Sequence, residues 1–233
     1  MSGHINRIYS IKAHPEDKNI LVSSGWDGML KIYDIRDKNP VASMGGSLVS
    51  GDSLDIFEDM VVAGSYRNKD VMQMYSFSQR KRIHNFDYNQ GLSKDSDVGY
   101  VFSTRFTNDG HFIIAGGAGK NELKIFANNA DTKADFKLQM EIKDLPSPVY
   151  TLDTNPAVKQ FAFGLGNGNL WLVNYDIDDK SQEFTPYIGE FEKYSIRKIK
   201  EEEREQKAKI APPGISTFMT RPIVNGQAVS SIF

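Results

Sequence analysis

Short apolar runs, most closed by Gly or Ser, recur along the chain in a fixed three-part order. The first column reads Ile8-Tyr9-Ser10-Ile11, Val101-Phe102-Ser103-Thr104 and Val149-Tyr150-Thr151-Leu152, with Gly51-Asp52-Ser53-Leu54 as a weaker member. The second holds Leu21-Val22-Ser23-Ser24-Gly25, Val61-Val62-Ala63-Gly64-Ser65, Ile113-Ile114-Ala115-Gly116-Gly117 and Phe161-Ala162-Phe163-Gly164. In the third, apolar residues alternate around Lys31, Gln73, Lys124 and Trp171. Runs this short, rich in β-branched and aromatic residues, predict strands buried on both faces. Turn residues separate them, as at Pro15-Glu16-Asp17, Asn108-Asp109-Gly110 and Asn155-Pro156. A more polar fourth strand is predicted after each set, at Val41 to Met44, Lys81 to Phe86, Phe136 to Ile142 and Glu183 to Tyr187. Such a strand suits the exposed edge of a sheet. The pattern thus predicts an all-β chain of four antiparallel four-stranded units, at about 3–46, 47–87, 99–144 and 146–188. They recur every 40–50 residues or so, which marks a repeat architecture.

Beyond about residue 188 the pattern changes. Residues 189–210 are dominated by Glu, Lys, Arg and Gln, with Lys198–Glu202, Glu203–Lys207 and Glu205–Lys209 spaced i, i+4. This predicts a charged helix. Its apolar residues, Phe191, Tyr194, Ile196 and Ile199, fall in the first half, the half suited to docking. Ala211-Pro212-Pro213-Gly214 stops it, and 211–233 reads as an extended tail carrying Phe218, Met219 and Ile223.

Composition narrows the function classes. A hydrophobic content of 39% is enough for a packed core, and a net charge of −2 argues against a nucleic-acid footprint. No apolar run is long enough for a membrane-spanning helix. Repeat-like sequence begins at Gly3-His4, so no leader peptide is expected. The absence of cysteine excludes disulfides and thiolate metal sites and agrees with a reducing compartment. A cytoplasmic location is expected, with nuclear or cytoskeletal and ciliary sites as the alternatives.

The first unit resembles a WD repeat almost position for position. Gly3-His4, Ile8, Pro15, Leu21-Val22-Ser23, Asp27-Gly28 and Tyr33-Asp34 carry the likeness, with Tyr33 where Trp is usual. The resemblance extends over about residues 3–188 and implies β-propeller blades. It implies a structural hydrogen-bond network of His4, Ser23, Asp27 and Tyr33, which the later units lose by carrying Ala63, Ala115 and Phe163 in place of Ser23. Family propellers usually close with seven blades, so four imply an incomplete ring. The missing blades would then come from another chain or a longer parent chain; an unusually small closed ring is the alternative.

His4, Ser23 and Asp27 are also the residue types of a nucleophilic triad, but no second catalytic feature joins them. No His pair has metal-ligand spacing. Gly116 to Lys120 and Gly164 to Gly168 precede strands rather than helices, so they predict hairpin turns, not phosphate loops. No metal, no cofactor and no catalytic residue is expected. Trp26, an aromatic in an exposed turn, is the strongest candidate for partner binding. Arg7, Tyr66, Arg67 and Lys120 are expected on the same face. Phe191, Tyr194, Phe218 and Met219 are the candidates for a C-terminal arm that ties the domain into a larger complex. The expected function is a non-catalytic scaffold binding other proteins in a multi-subunit intracellular assembly, or alternatively a peptide- or substrate-recognition module.

Overall fold

The computed structural model describes residues 2–89, 98–128 and 135–177, together with the backbone of Phe184–Pro186, Glu192–Ser195, Ile223–Val224 and Gln227–Ala228. Four antiparallel sheets follow one another along the chain, each in sequential strand order. The first contains β1 (Ile8–Ala13), β2 (Ile20–Gly25), β3 (Met29–Asp34) and β4 (Pro40–Gly45). The second contains β5 (Leu54–Phe57), β6 (Met60–Gly64), β7 (Met72–Ser76) and β8 (Lys81–Asn85). The third contains β9 (Tyr100–Phe106), β10 (Phe112–Ala118), β11 (Leu123–Asn128) and β12 (Phe136–Ile142). The fourth contains β13 (Val149–Thr154), β14 (Gln160–Leu165), β15 (Asn169–Ile177) and β16 (Phe184–Pro186), with β17 (Glu192–Ser195) also paired to β15. Among the described residues there is no helix.

Two expectations need correction. β5 begins at Leu54, not Gly51. A Cβ at Gly51 would run into the backbone of Phe102, and Asp52 turns its side chain toward Ser10 and Arg105 instead of joining a ladder. Glu192–Ser195, placed in the charged helix by its composition, is a strand that pairs with Asn169–Leu172. The edge of β15 over these residues is left open by β16, which pairs only with Tyr175–Ile177. An unpaired edge offers backbone hydrogen bonds that outweigh a weak helix propensity. The rest of 189–210, including Phe191, lies outside the described residues.

The chain divides into two compact units, Met1–Ser195 and Ile196–Phe233. In the second, β18 (Ile223–Val224) pairs with β19 (Gln227–Ala228), within the segment expected to be extended. Phe218 and Met219 lie outside the described residues.

Within the first unit, strand alternation decides how the sheets pack. Val22, Leu30 and Ile32 leave the first sheet on one face and meet Val61, Ala63 and Tyr75 of the second. Val62, Met72 and Met74, on the opposite face of the second sheet, meet Ile113, Ala115 and Phe126 of the third. Ile114, Leu123 and Ile125 then meet Phe161, Phe163 and Val173 of the fourth. Each Val, Leu, Ile, Met or Phe side chain taken out of water contributes about 1.5–3 kcal/mol. Four sheets are therefore held by three cores, each shared by consecutive sheets, and among the described residues no cluster joins the fourth sheet to the first. The first strands of the sheets stand side by side in the order β1, β5, β9, β13.

Candidate functional site

Three of the four first strands carry a β-bulge at the same place. The pairing of β1 with β2 steps from Ile8 to Ser10, that of β9 with β10 from Val101 to Ser103, and that of β13 with β14 from Val149 to Thr151. The extra residue is Tyr9, Phe102 or Tyr150. A bulge leaves one residue out of the ladder and re-aims its side chain, so each of these first strands turns one aromatic ring away from the cores. The bulge needs the opposing strand to come close. A Cβ on Gly25 would overlap the carbonyl oxygen of Arg7, and one on Gly117 the carbonyl of Tyr100.

These rings meet aromatics from the turns between second and third strands. Tyr9 lies 5.6 Å from Trp26, and the Arg7 guanidinium sits over the Trp26 ring at 5.7 Å. The Trp26 N–H donates to the Arg7 carbonyl (2.9 Å), fixing the two residues together. Tyr66 stacks on Phe102 at 5.8 Å and lies 4.6 Å from Tyr100, while Phe102 stacks on Tyr150 at 5.4 Å and an interplanar angle of 11°. The Arg67 guanidinium lies close to Gly28, in the turn that follows Trp26. Trp26 is 38% exposed, Tyr66 45% and Tyr150 53%. Large rings held in place and open to solvent are the composition of protein-binding hot spots.

Of the residues expected on one face, Arg7 contacts Trp26, Arg67 lies near Gly28, and Tyr66 contacts Tyr100 and Phe102. Lys120, half-buried in the β10–β11 turn, makes none of these contacts. Tyr194 stands opposite Leu170 in the β15–β17 ladder. Tyr9, Tyr100, Phe102 and Tyr150 were not among the expected site residues. Three of them had a signal in the sequence, since the second residue of the first-column run is aromatic in three units of four.

The His4 network is a separate feature. His4 Nδ1 donates to Asp27 Oδ2 (2.8 Å), and Nε2 lies 2.8 Å from Ser23 Oγ. Asp27 also accepts from the N–H groups of Ile5 and Met29. Burial pushes the Asp27 carboxyl upward, but the His4 hydrogen bond and the two backbone donors outweigh it and hold the pKa below its ordinary value. Ser23 is 1% exposed, so its hydroxyl cannot reach a substrate carbonyl. The atom order is that of a catalytic triad, but the site is sealed and fixes the chain entering β1. Tyr33 does not join. It stands opposite Leu21, while Ser23 stands opposite Lys31, and Lys31 Nζ donates to the Ser2 carbonyl (2.9 Å). Lys31, not Tyr33, is the third-strand residue that holds the entering segment. Among the described residues no three His, Cys, Asp or Glu side chains are grouped as metal ligands.

Residues 1–34 match the family described as WD domain, G-beta repeat. No curated protein matches the chain. In shape it matches a chain of the structure reported as Crystal Structure of Mitotic Checkpoint Complex, with a TM-score of 0.61 and 16% sequence identity. That match covers 73% of this chain and 51% of the other, so this chain spans about half the length of that one. At such identity the likeness shows the fold alone, and 1174 solved chains match, which makes the architecture a poor guide to any one partner. Residues 1–34 are thus similar to a WD repeat, and the three four-stranded sheets that follow, packed blade on blade, give the chain a β-propeller-like fold.

Proposed function

We propose that the chain is a non-catalytic scaffold that holds other proteins in a multi-subunit assembly through the aromatic row of Trp26, Tyr9, Tyr66, Phe102 and Tyr150. WD-repeat proteins generally mediate protein–protein interaction. The observation that carries the reading here is the set of three bulges, each turning an aromatic out of the ladder beside an exposed turn. The test is affinity purification of the tagged full chain with its partners, against a Trp26→Ala, Tyr150→Ala double variant. Loss of partners with an unchanged urea midpoint is expected; an unchanged partner set overturns the reading.

Stacked rings flanked by Arg7 and Arg67 also favour a second reading, recognition of a short peptide across the same row. Arg7→Ala with Trp26→Ala separates the two: loss of one peptide's binding with assembly intact selects recognition, and loss of incorporation selects scaffolding.

The first sheet supports the proposal that further blades are supplied by another chain or by a longer parent chain. Leu21 and Tyr33 occupy the positions that Val61 and Tyr75 fill in the packed core of the next blade, and Ile11 on the adjoining strand is 59% exposed. A chain with that face uncovered is expected to self-associate. A monomer by light scattering with cooperative unfolding contradicts this. A cytoplasmic location fits a cysteine-free chain and is checked by fluorescence microscopy of the tagged protein.

A further inference from the structure

The outer strand of the second blade differs from those of the first and third. Lys81, Arg82, Ile83 and Asn85 of β8 are exposed and His84 is half-buried, so both faces of the strand meet solvent. β4 alternates buried and half-buried positions, and β12 is half-buried over most of its length. β8 is also the last strand of its sheet and, among the described residues, pairs only with β7, with a bulge at Ile83, which leaves its other backbone edge without a strand partner there. Such an edge is a template for another strand.

The charged residues of the strand itself are both cations, Lys81 and Arg82. Arg80, exposed in the β7–β8 turn, extends the run to three consecutive cations, Arg80-Lys81-Arg82. Arg82 faces Asp70 at 3.8 Å with both side chains about half exposed, a solvated pair of little strength. Arg80 donates to the Val41 carbonyl at 3.5 Å, and neither it nor Lys81 has a carboxylate partner among the described residues. The neighbouring His84 is pulled toward its neutral form by burial, against the opposing effects of the Asp135 charge and the Phe136 backbone, so it adds little to the charge. Beside the strand, Ile83 walls a cavity of about 390 Å³ together with Phe57 and Met60; Glu58, Asp59 and Asp109 also line it, so it suits an uncharged side chain and the carboxylates of a ligand must lie outside it.

We propose that the β8 edge takes an extended acidic segment of a partner protein by strand addition. The partner's backbone pairs with the free edge, its carboxylates lie against Lys81 and Arg82, and one apolar side chain enters the cavity beside Ile83. Cations on an edge repel edges of like charge, and the same field admits a strand bearing carboxylates, so one feature gives both protection and selectivity. The surface shares no residue with the aromatic row and does not depend on it.

The probe is a short fluorescein-labelled peptide of alternating Glu and Val, titrated into the full chain and read by anisotropy. Binding is expected, with slowed amide exchange at Lys81–Asn85. Lys81→Glu with Arg82→Glu, both exposed, should weaken it about tenfold or more, a change of about 1.4 kcal/mol. An N-methylated form of the peptide keeps its charge and loses its pairing donors, and should weaken similarly against the unaltered protein. Trp26→Ala should bind the peptide as the parent does. Equal affinity for the N-methylated peptide, equal affinity of the charge-reversed protein, or full competition by an RNA oligonucleotide overturns the proposal.

Discussion

Lys124 Nζ donates to the backbone carbonyl of Tyr88, 2.6 Å away across 36 residues of sequence. Lys124 stands on the third strand opposite Ala115, and Tyr88 lies in the segment that leads into the same blade. Gln73, opposite Ala63, accepts from Ser47 Oγ (3.1 Å) in the segment leading into the second blade. Lys31, opposite Ser23, reaches Ser2 ahead of the first. One register position therefore ties down the chain entering each of three blades. In the fourth it is Trp171, opposite Phe163, and the tie becomes ring stacking at 5.7 Å inside the core shared with the third blade.

Removing the Lys124 ammonium should be costly. It is nearly buried and also pairs with Glu122 (3.1 Å) and Glu141 (2.9 Å), of which Glu122 is itself buried. Lys124→Met leaves Glu122 as an uncompensated buried charge and the Tyr88 carbonyl without this donor. A loss of about 3–5 kcal/mol is expected in urea unfolding. Lys124→Met with Glu122→Gln should recover part of it, since the stranded charge is then gone. No recovery would mean that the Tyr88 bond, not the ion pair, dominates.

Arg105 joins three blades. Its guanidinium donates to the carboxylate and carbonyl of Asp52 and, through Nε, to Asp153 Oδ1 (3.3 Å), while the Asp52 carboxylate also accepts from Ser10 Oγ (2.9 Å). Arg105→Lys keeps the charge but has one donor centre and cannot span these partners. A loss of about 1–3 kcal/mol is expected by urea denaturation. Hydrogen exchange should rise at the first strands of the second to fourth blades and not in β4. Parent-like stability would show that the bridges are solvated pairs of no consequence.

The blades were legible because the second and third strands of each carry apolar residues on two faces and the repeat period is short. Val22, Met74 and Phe161 all sit in the cores that pattern implies. The third-strand anchors were visible only as polar interruptions at Lys31, Gln73 and Lys124, because their partners are main-chain or small polar groups in loops of differing length. The strand at Glu192–Ser195 was not legible at all. Its charge spacing favours a helix, and only the open edge of β15 in three dimensions makes a strand of it. The aromatic row is intermediate. Tyr9, Phe102 and Tyr150 align in sequence, but alternation alone assigns them to a buried face, and the bulge that turns them out depends on close approach at Gly25 and Gly117.

Two carboxylates should respond to pH in opposite senses. Asp55 is pushed above its ordinary value, chiefly by burial, although the Phe106 N–H donates to it (2.8 Å) and Arg105 and Lys12 lie near. The unfolded chain therefore ionises first. The cost of the buried charge grows as pH rises from about 4, the ordinary value, and levels off above the folded-state value. Asp55→Asn keeps an acceptor for Phe106 and removes that charge, so it should equal or exceed the parent in urea midpoint at neutral pH, with the gap closing toward about pH 4. Asp27 is held low, so its contribution is present above about pH 4 and is lost as pH falls through the folded value. Asp27→Asn should be less stable than the parent at neutral pH, and a midpoint equal to the parent's there would remove the His4 network from the account.

Gly25→Ala tests whether the first bulge shapes the aromatic row. A Cβ at Gly25 overlaps the Arg7 carbonyl oxygen, which accepts from the Trp26 N–H, and it crowds the Ile8 backbone. Strand β1 must then move off β2 at its start, at a cost of about 1–3 kcal/mol. The Arg7–Trp26 and Tyr9–Trp26 contacts should separate, because both depend on that close approach. Tryptophan fluorescence distinguishes this from general loosening: Trp26 should become more accessible to acrylamide, while Trp171, packed on Phe163 in the core between the third and fourth blades, should keep its protection. If the variant folds with Trp26 quenched as in the parent, the bulge does not set the position of Trp26, and the row is held by its ring contacts alone.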